Sequence, residues 1–191
     1  MKMLVLNASP KKKGKVAGLL SAVADGARGT ADIEWIDVYG LSIKPCLGCM
    51  KCRPDRPCAL PRDDAHVIAG KIAAADVLVV GTPTYWGNMS APLKALFDRI
   101  VTTLEYIETE KMSLPRPLLK GKRAVIVTAS SAPWPLNLLP SQARGAVRSV
   151  SVVLKSAGMR VAGVIMLGNT RGMDEIPPRA LRKARGIGAA L

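Results

Sequence analysis

At 191 residues, 49% of them hydrophobic, the chain is long enough for one sizeable core and short for two ordinary domains, which excludes global disorder and predicts a single domain over residues 1–191. Every apolar run falls short of the roughly 18 residues that a bilayer span needs, and the apolar start that ends at Ser9-Pro10 is too short for a signal-peptide core, so a soluble, cytoplasmic protein without a membrane segment is expected. The 28 Lys and Arg against 14 Asp and Glu leave a net charge of +14, which would steer polyanionic small molecules; nucleic acid stays a minority reading because zinc-finger spacing, an aromatic-and-basic single-strand motif and a helix-turn-helix are all missing.

Met3 to Asn7 is a short apolar run that predicts a strand, followed by a Ser-Pro-Lys-Lys-Lys-Gly loop. From about Lys15 to Arg28, Val16, Leu19, Leu20 and Val23 recur at helical spacing. Ile33 to Val38 alternates as a second strand, and a cysteine-rich loop over residues 45–64 comes next. Asp63 and Asp64 then place acids at the positive end of a helix carrying Val67, Ile68, Ile72 and Ala75. Val77 to Val80 is a continuous apolar run bounded by Gly81 and Pro83, as in a central parallel strand covered on both faces. Ser90 to Val101 predicts a helix with Pro92 in its first turn. Residues 104–120, with Pro115 and Pro117, predict an excursion suited to a lid or a partner-contact arm. Ala124 to Thr128 is a further strand, Gln142 to Ser156 a helix and Val161 to Leu167 a last strand. Pro177 or Pro178 starts a short basic helix through Arg185 that Gly186 and Gly188 would end. Five strands with intervening helices make a doubly wound α/β fold with right-handed crossovers, and its function belongs in the loops Ala8 to Lys15, Thr82 to Met89 and Ala129 to Asn137.

The first loop is a sound anion site. Amides at the start of the helix are unpaired within it, Ser9 adds a hydroxyl, and lysines such as Lys11 and Lys15 add charge. It is neither a Walker A loop nor a Gly-x-Gly-x-x-Gly fingerprint. A solvated basic turn is the alternative. In the second loop, Gly81-Thr82-Pro83-Thr84-Tyr85-Trp86-Gly87-Asn88-Met89-Ser90, the two aromatics offer flat apolar area and Gly87 permits close backbone approach. Packing of the sheet end is the plainer use of such an aromatic pair. Ser130, Ser131 and Trp134 of the third loop are candidates for the same crevice, or belong to a surface loop with a partly buried Trp.

Ser9-Pro10-Lys11 and the run from Gly81 through Leu93-Lys94-Ala95-Leu96-Phe97-Asp98-Arg99 resemble the flavodoxin-like, NAD(P)H-dependent FMN reductase superfamily. That resemblance implies a three-layer fold around a five-stranded parallel sheet. It also implies FMN held by Ser9, Lys11, Lys15, Val16, Pro83, Thr84, Tyr85, Trp86, Gly87, Asn88, Met89, Ser130 and Ser131, with NAD(P)H as electron donor. Against the superfamily's loop, its Gly is Ala8, its Asn is Lys15 and its Thr is Val16, which removes one hydroxyl donor to the phosphate.

Cys46-x-x-Cys49-x-x-Cys52-x5-Cys58 places four thiols in one window. They could hold a [4Fe-4S] cluster or zinc, or serve as free or redox-active thiols. The run from Pro45 to Cys52 resembles the motif of iron-sulfur flavoproteins, while Cys58 to Asp63-Asp64 resembles a segment of reductases without a cluster. His66 is the only histidine, and a surface or capping role is expected of it. Asp98 and Arg99 are expected in a structural ion pair or at the helix end. The resemblance implies an oxidoreductase that passes electrons from NAD(P)H through FMN to a quinone, another small molecule or a protein, as a homodimer or homotetramer. The alternative it offers is an iron-sulfur flavoprotein carrying electrons between protein partners.

Overall fold

The computed structural model describes residues 1–53, 55–106 and 115–191. Along the chain come β1 (Lys2–Asn7), α1 (Lys15–Gly26), β2 (Asp32–Asp37), α2 (Asp64–Ala74), β3 (Val77–Pro83), α3 (Ala91–Arg99) and α4 (Val101–Leu104). They are followed by β4 (Glu105–Tyr106), β5 (Arg116–Pro117), β6 (Arg123–Ala129), α5 (Ala143–Ser156), β7 (Arg160–Leu167) and α6 (Pro178–Ala189). The five long strands form one parallel sheet in the order β2-β1-β3-β6-β7, the flavodoxin-like arrangement.

Alternation along the strands sorts side chains into two cores. Met3, Val5, Val77, Val79, Val125 and Val127 face α1 and α6, packing with Val16, Leu19, Leu20, Val23 and Ala184. Leu4, Leu6, Leu78, Val80, Ala124 and Ile126 face the other way, against Ile68 and Ile72 of α2, Leu93, Leu96 and Phe97 of α3, and Val150 and Leu154 of α5. The result is a helix-sheet-helix sandwich whose central strands are buried on both faces. Among the described residues, no helix is long and apolar enough to cross a membrane.

Two expectations change. Gly186 and Gly188 do not end the last helix, which runs on to Ala189. A Cβ at Gly188 would meet the Val23 carbonyl oxygen at 2.0 Å, and one at Gly26 would meet that of Arg185 at 2.1 Å, so these glycines let α1 and α6 approach closely. The excursion at 104–120 returns on itself at its base, where β4 and β5 pair antiparallel and the Arg116 guanidinium lies 4.3 Å from the centre of the Tyr106 ring. Its middle, 107–114, lies outside the described residues, and with it the expected lid or contact arm.

Candidate functional site

The loops that leave β1, β3, β6 and β7 meet at the carboxyl end of the sheet, and short-range bonds fix their mutual positions. The Ala8 amide donates to the Gly81 carbonyl (2.7 Å), the Thr84 amide to that of Ala129 (2.9 Å) and the Ser130 amide to that of Leu167 (2.9 Å). Ser90, fully buried, donates its hydroxyl to the Ala8 carbonyl (2.9 Å) and its amide to Thr82 Oγ1 (2.9 Å).

Between these loops lies a cavity of about 460 Å³. One side is the phosphate-loop candidate, Ser9, Pro10, Lys11, Gly14, Lys15 and Val16; Pro83, Tyr85 and Ala129 line the sheet end, and Thr170, Arg171 and Met173 close the far wall. The lining holds three cationic side chains and no carboxylate. Gly14 caps α1 with no side chain on the first-turn amides, which leaves those donors free for an anion. Beneath the loop, Asn7 donates to Asp37 Oδ1 (2.8 Å) and its own Oδ1 accepts the Ser9 amide (3.3 Å). Burial pushes the Asp37 carboxyl up, but hydrogen bonds from Trp35 and Asn7 and the charge of Lys12 outweigh it and leave the carboxyl below its ordinary value. Ser9 Oγ accepts the Lys11 amide (3.2 Å), so its proton is available to a ligand.

The second loop is a tight turn in which Tyr85 and Asn88 exchange backbone hydrogen bonds of 3.0 and 2.9 Å. Trp86 (φ 52°) and Gly87 (φ 71°) both occupy the left-handed region, which is unusual for a tryptophan. The turn sends Trp86 outward, 101% exposed, while Tyr85 stays at the cavity. A Cβ at Gly87 would stand 2.8 Å from the Ser141 backbone, so the turn sits directly on the segment leading into α5. The Met89 amide donates to Asn88 Oδ1 (2.8 Å) and Ser149 Oγ (3.2 Å), and Thr84 Oγ1 pairs with Thr128 Oγ1 (3.0 Å). Thr84, Trp86, Gly87, Asn88 and Met89 therefore build and anchor the turn beside the cavity rather than line it. In the third loop Ser130 is buried with no partner for its hydroxyl among the described residues, Ser131 is exposed, and Trp134 is 77% exposed instead of partly buried.

The far wall was not foreseen from the residues, although a loop after the fifth parallel strand is where the doubly wound rule would place one. Tyr39, just after β2, is a further neighbour that the residues do not announce: burial, followed by the adjacent Tyr85, pushes its phenol above the ordinary tyrosine value. A second cavity, of about 440 Å³, lies between α3, α4, α5 and the cysteine loop. It carries Asp98 and Glu105 and no cation, which disfavours a phosphate there.

The NADPH-dependent FMN reductase family matches residues 1–159. The chain belongs to that family. This family member is 34% identical over 103 residues to an iron-sulfur flavoprotein of Methanocaldococcus jannaschii, covering 52% of this chain and 51% of that protein. It is 38% identical over 65 residues to an FMN-dependent NAD(P)H:quinone oxidoreductase of Pseudomonas aeruginosa, covering 32% and 31%. The iron-sulfur flavoprotein match thus spans about half the length of that curated relative. An NAD(P)H:quinone oxidoreductase structure from Methanothermobacter marburgensis shares the fold at a TM-score of 0.76 with 23% identity, over 99% of this chain and 98% of that one.

The family member's cysteine loop is tied at its base. The Ser42 amide donates to Asp64 (2.6 Å) and the Lys44 amide to Asp63 (3.1 Å), and buried Arg99 from α3 donates to both carboxylate oxygens of Asp63 (2.7 and 3.2 Å) and to the Lys44 carbonyl (2.6 Å). Arg99 therefore pairs with Asp63, while Asp98 pairs with Lys94 at 2.6 Å. His66 completes a capping box with Asp63, the capping role expected of it. Farther along, Arg53 pins the loop to Glu105 at 3.2 Å. Cys46 and Cys49 are exposed, and Cys52 and Cys58 half-buried. Burial pushes the Cys52 thiol up, and its neighbours Cys58 and Cys46 act in the same direction. Among the described residues, no three His, Cys, Asp or Glu side chains are gathered as ligands of one metal ion.

Proposed function

We propose that this chain is an NAD(P)H-dependent, FMN-containing oxidoreductase that delivers electrons to a quinone or another small acceptor. The observation that carries the reading is the cavity at the carboxyl end of the sheet, with uncapped helix amides and cations on one side and Tyr85 on another. Its residues fit FMN. The amides at the start of α1, with Ser9 and Lys11, would hold the phosphate; Lys15, whose ammonium donates to the Asp174 carbonyl, would add charge beside it, and Val16 would pack its methyls against the chain that follows. Pro83 and Tyr85 would flank the ring, and the turn Thr84 to Met89 would present backbone groups to its edge, with Trp86, Gly87 and Asn88 shaping the approach. Ser130, next to the lining residue Ala129, has a buried hydroxyl without a partner among the described residues that a flavin edge could satisfy if the loop shifted, with Ser131 exposed on the same loop. The flavin supplies the electron chemistry when bound; the chain supplies position, charge and exclusion of water, and needs no histidine for that task.

The exposed Trp86 and Trp134, carried on loops at the same end of the sheet, support assembly of two or four copies of this chain. Sedimentation velocity reads this directly, and a monomer at micromolar concentration would remove it. The decisive test of the main reading is an equilibrium titration of purified protein with FMN followed by NADH and NADPH oxidation with a quinone acceptor. Stoichiometric uptake and acceptor-dependent turnover are expected; a protein that ignores FMN ends the proposal.

A second reading, an iron-sulfur flavoprotein passing electrons between protein partners, is supported by the name of the Methanocaldococcus jannaschii relative and by the spacing of Cys46, Cys49, Cys52 and Cys58. Iron and sulfide analysis after anaerobic purification separates the two. A [4Fe-4S] stoichiometry favours the carrier, and absence of both elements favours the simple reductase.

A further inference from the structure

The loop after β7 crosses the mouth of the cavity before it reaches α6, and both of its ends are pinned. At one end the Asn169 amide donates to the Ala132 carbonyl (2.9 Å), and the amide and hydroxyl of Thr170 both donate to the Ser130 carbonyl (3.1 and 3.0 Å). At the other, the Lys15 ammonium donates to the Asp174 carbonyl, and Ile176 covers Gly18 of α1, where a Cβ would meet its Cδ1 at 2.6 Å. A single 3-10 turn, Thr170–Gly172, is held between these anchors and forms the wall opposite the phosphate loop.

Arg171 stands in that wall. It is exposed and, among the described residues, takes part in no ion pair. Of the other two cations lining the cavity, Lys15 directs its ammonium to the Asp174 carbonyl, which leaves Lys11. On the loop side Ser9 carries the only hydroxyl, and Val16 offers methyl groups alone. A phosphate seated on the α1 amides would therefore present oxygens on its far side to a wall whose one free cation is Arg171. A guanidinium suits such a position, because its planar pair of N–H groups can engage two phosphoryl oxygens at once.

We propose that Arg171 is a phosphate ligand for FMN, closing the phosphate loop from the opposite wall and supplying the donor that Val16 lacks. This assignment rests on the FMN reading above. It predicts that the residue acts on the phosphate end of the cofactor and leaves the ring end untouched.

The test compares FMN with riboflavin, which lacks the phosphate, by quenching of flavin fluorescence on the full-length apoprotein of wild type, Arg171→Gln and Arg171→Lys. Arg171→Gln is expected to weaken FMN about tenfold or more, the scale of one charge-assisted hydrogen bond, while riboflavin affinity changes less than about twofold. Arg171→Lys should recover part of the FMN loss, and thermal melting of the apoprotein should be unchanged in both variants. Unchanged FMN affinity in Arg171→Gln overturns the assignment. Equal losses for FMN and riboflavin also overturn it, since they would mean that the residue shapes the cavity. An unchanged FMN affinity with a raised KM for NADPH would transfer Arg171 to the nicotinamide donor and overturn it as well. A wild-type protein that binds neither flavin would defeat the FMN reading itself, a result distinct from failure of the Arg171 variants alone.

Discussion

Replacing Asp63 with Ala should strongly destabilise this fold. The Asp63 carboxylate accepts from Arg99 (2.7 and 3.2 Å), from the Lys44 amide (3.1 Å) and from the Ala65 amide (3.1 Å). The Arg99 side chain is 0% exposed and that of Asp63 10%, so the variant leaves a buried guanidinium without its counter-charge. Breaking a buried pair in this way costs about 3–5 kcal/mol, and loss of an N-cap about 1 kcal/mol. Both effects share one carboxylate and do not add, so about 3–5 kcal/mol is expected in all. For a chain of this size each kcal/mol lowers Tm by about 2–4 °C, which places the drop at about 6–20 °C. Thermal unfolding followed by circular dichroism at pH 7 measures it, and a drop under about 2 °C would refute the reasoning.

The pH dependence follows from the same contacts. Burial pushes the Asp63 carboxyl up, but the Arg99 hydrogen bonds, the Lys44 amide and the Arg99 charge outweigh it and hold it below its ordinary value of 3.8. A native pKa below the unfolded one means that the unfolded chain takes up the proton first as pH falls. The stabilisation is therefore complete above the ordinary value and is lost as pH drops through the lowered one. The gap in Tm between wild type and Asp63→Ala should narrow below about pH 4; a gap that widens there would contradict the assignment.

Other substitutions probe separate parts of the fold. Ser9→Ala removes a hydroxyl whose proton is free for a phosphate oxygen, and FMN affinity should fall about tenfold in a fluorescence titration; an unchanged value removes Ser9 from the site. Gly145→Ala would set a Cβ 1.9 Å from the Pro140 carbonyl oxygen and 2.3 Å from that of Gly87, forcing α5 away from the Tyr85 turn. Its Tm should fall by the equivalent of about 1–3 kcal/mol, with weaker FMN binding, and a variant that melts and binds as wild type would show that the two segments separate freely. Gly188→Ala meets the Val23 carbonyl oxygen at 2.0 Å and should destabilise by a similar amount, again about 1–3 kcal/mol, while leaving the ratio of FMN to riboflavin affinity unchanged.

The strands were legible because their signals are local. Val77 to Val80 reads as a central strand from its continuous apolar run, and the structure extends it to Pro83, since Gly81 and Thr82 continue the ladder with β6. Ser9 and Tyr85 were placed at the same cavity from the rule that loops leaving parallel strands converge. For Trp134 the sequence leaves open the crevice or a surface loop with the ring partly buried, because nothing in its neighbours says which way a loop side chain turns; the ring is 77% exposed.

Residues a few positions apart carry the apolar run of β1 and the apolar stripe of α1, and that short range suffices to specify a doubly wound sheet with two cores. Three-dimensional packing settled the rest. Arg99 and Asp63 are 36 residues apart, Lys15 and Asp174 are 159 apart, and Gly188 earns its place only because α1 lies against it. Such contacts depend on where each crossover returns the chain, and periodicity holds no record of that, so the buried ion pair and the Arg171 wall emerge only once the strands are ordered.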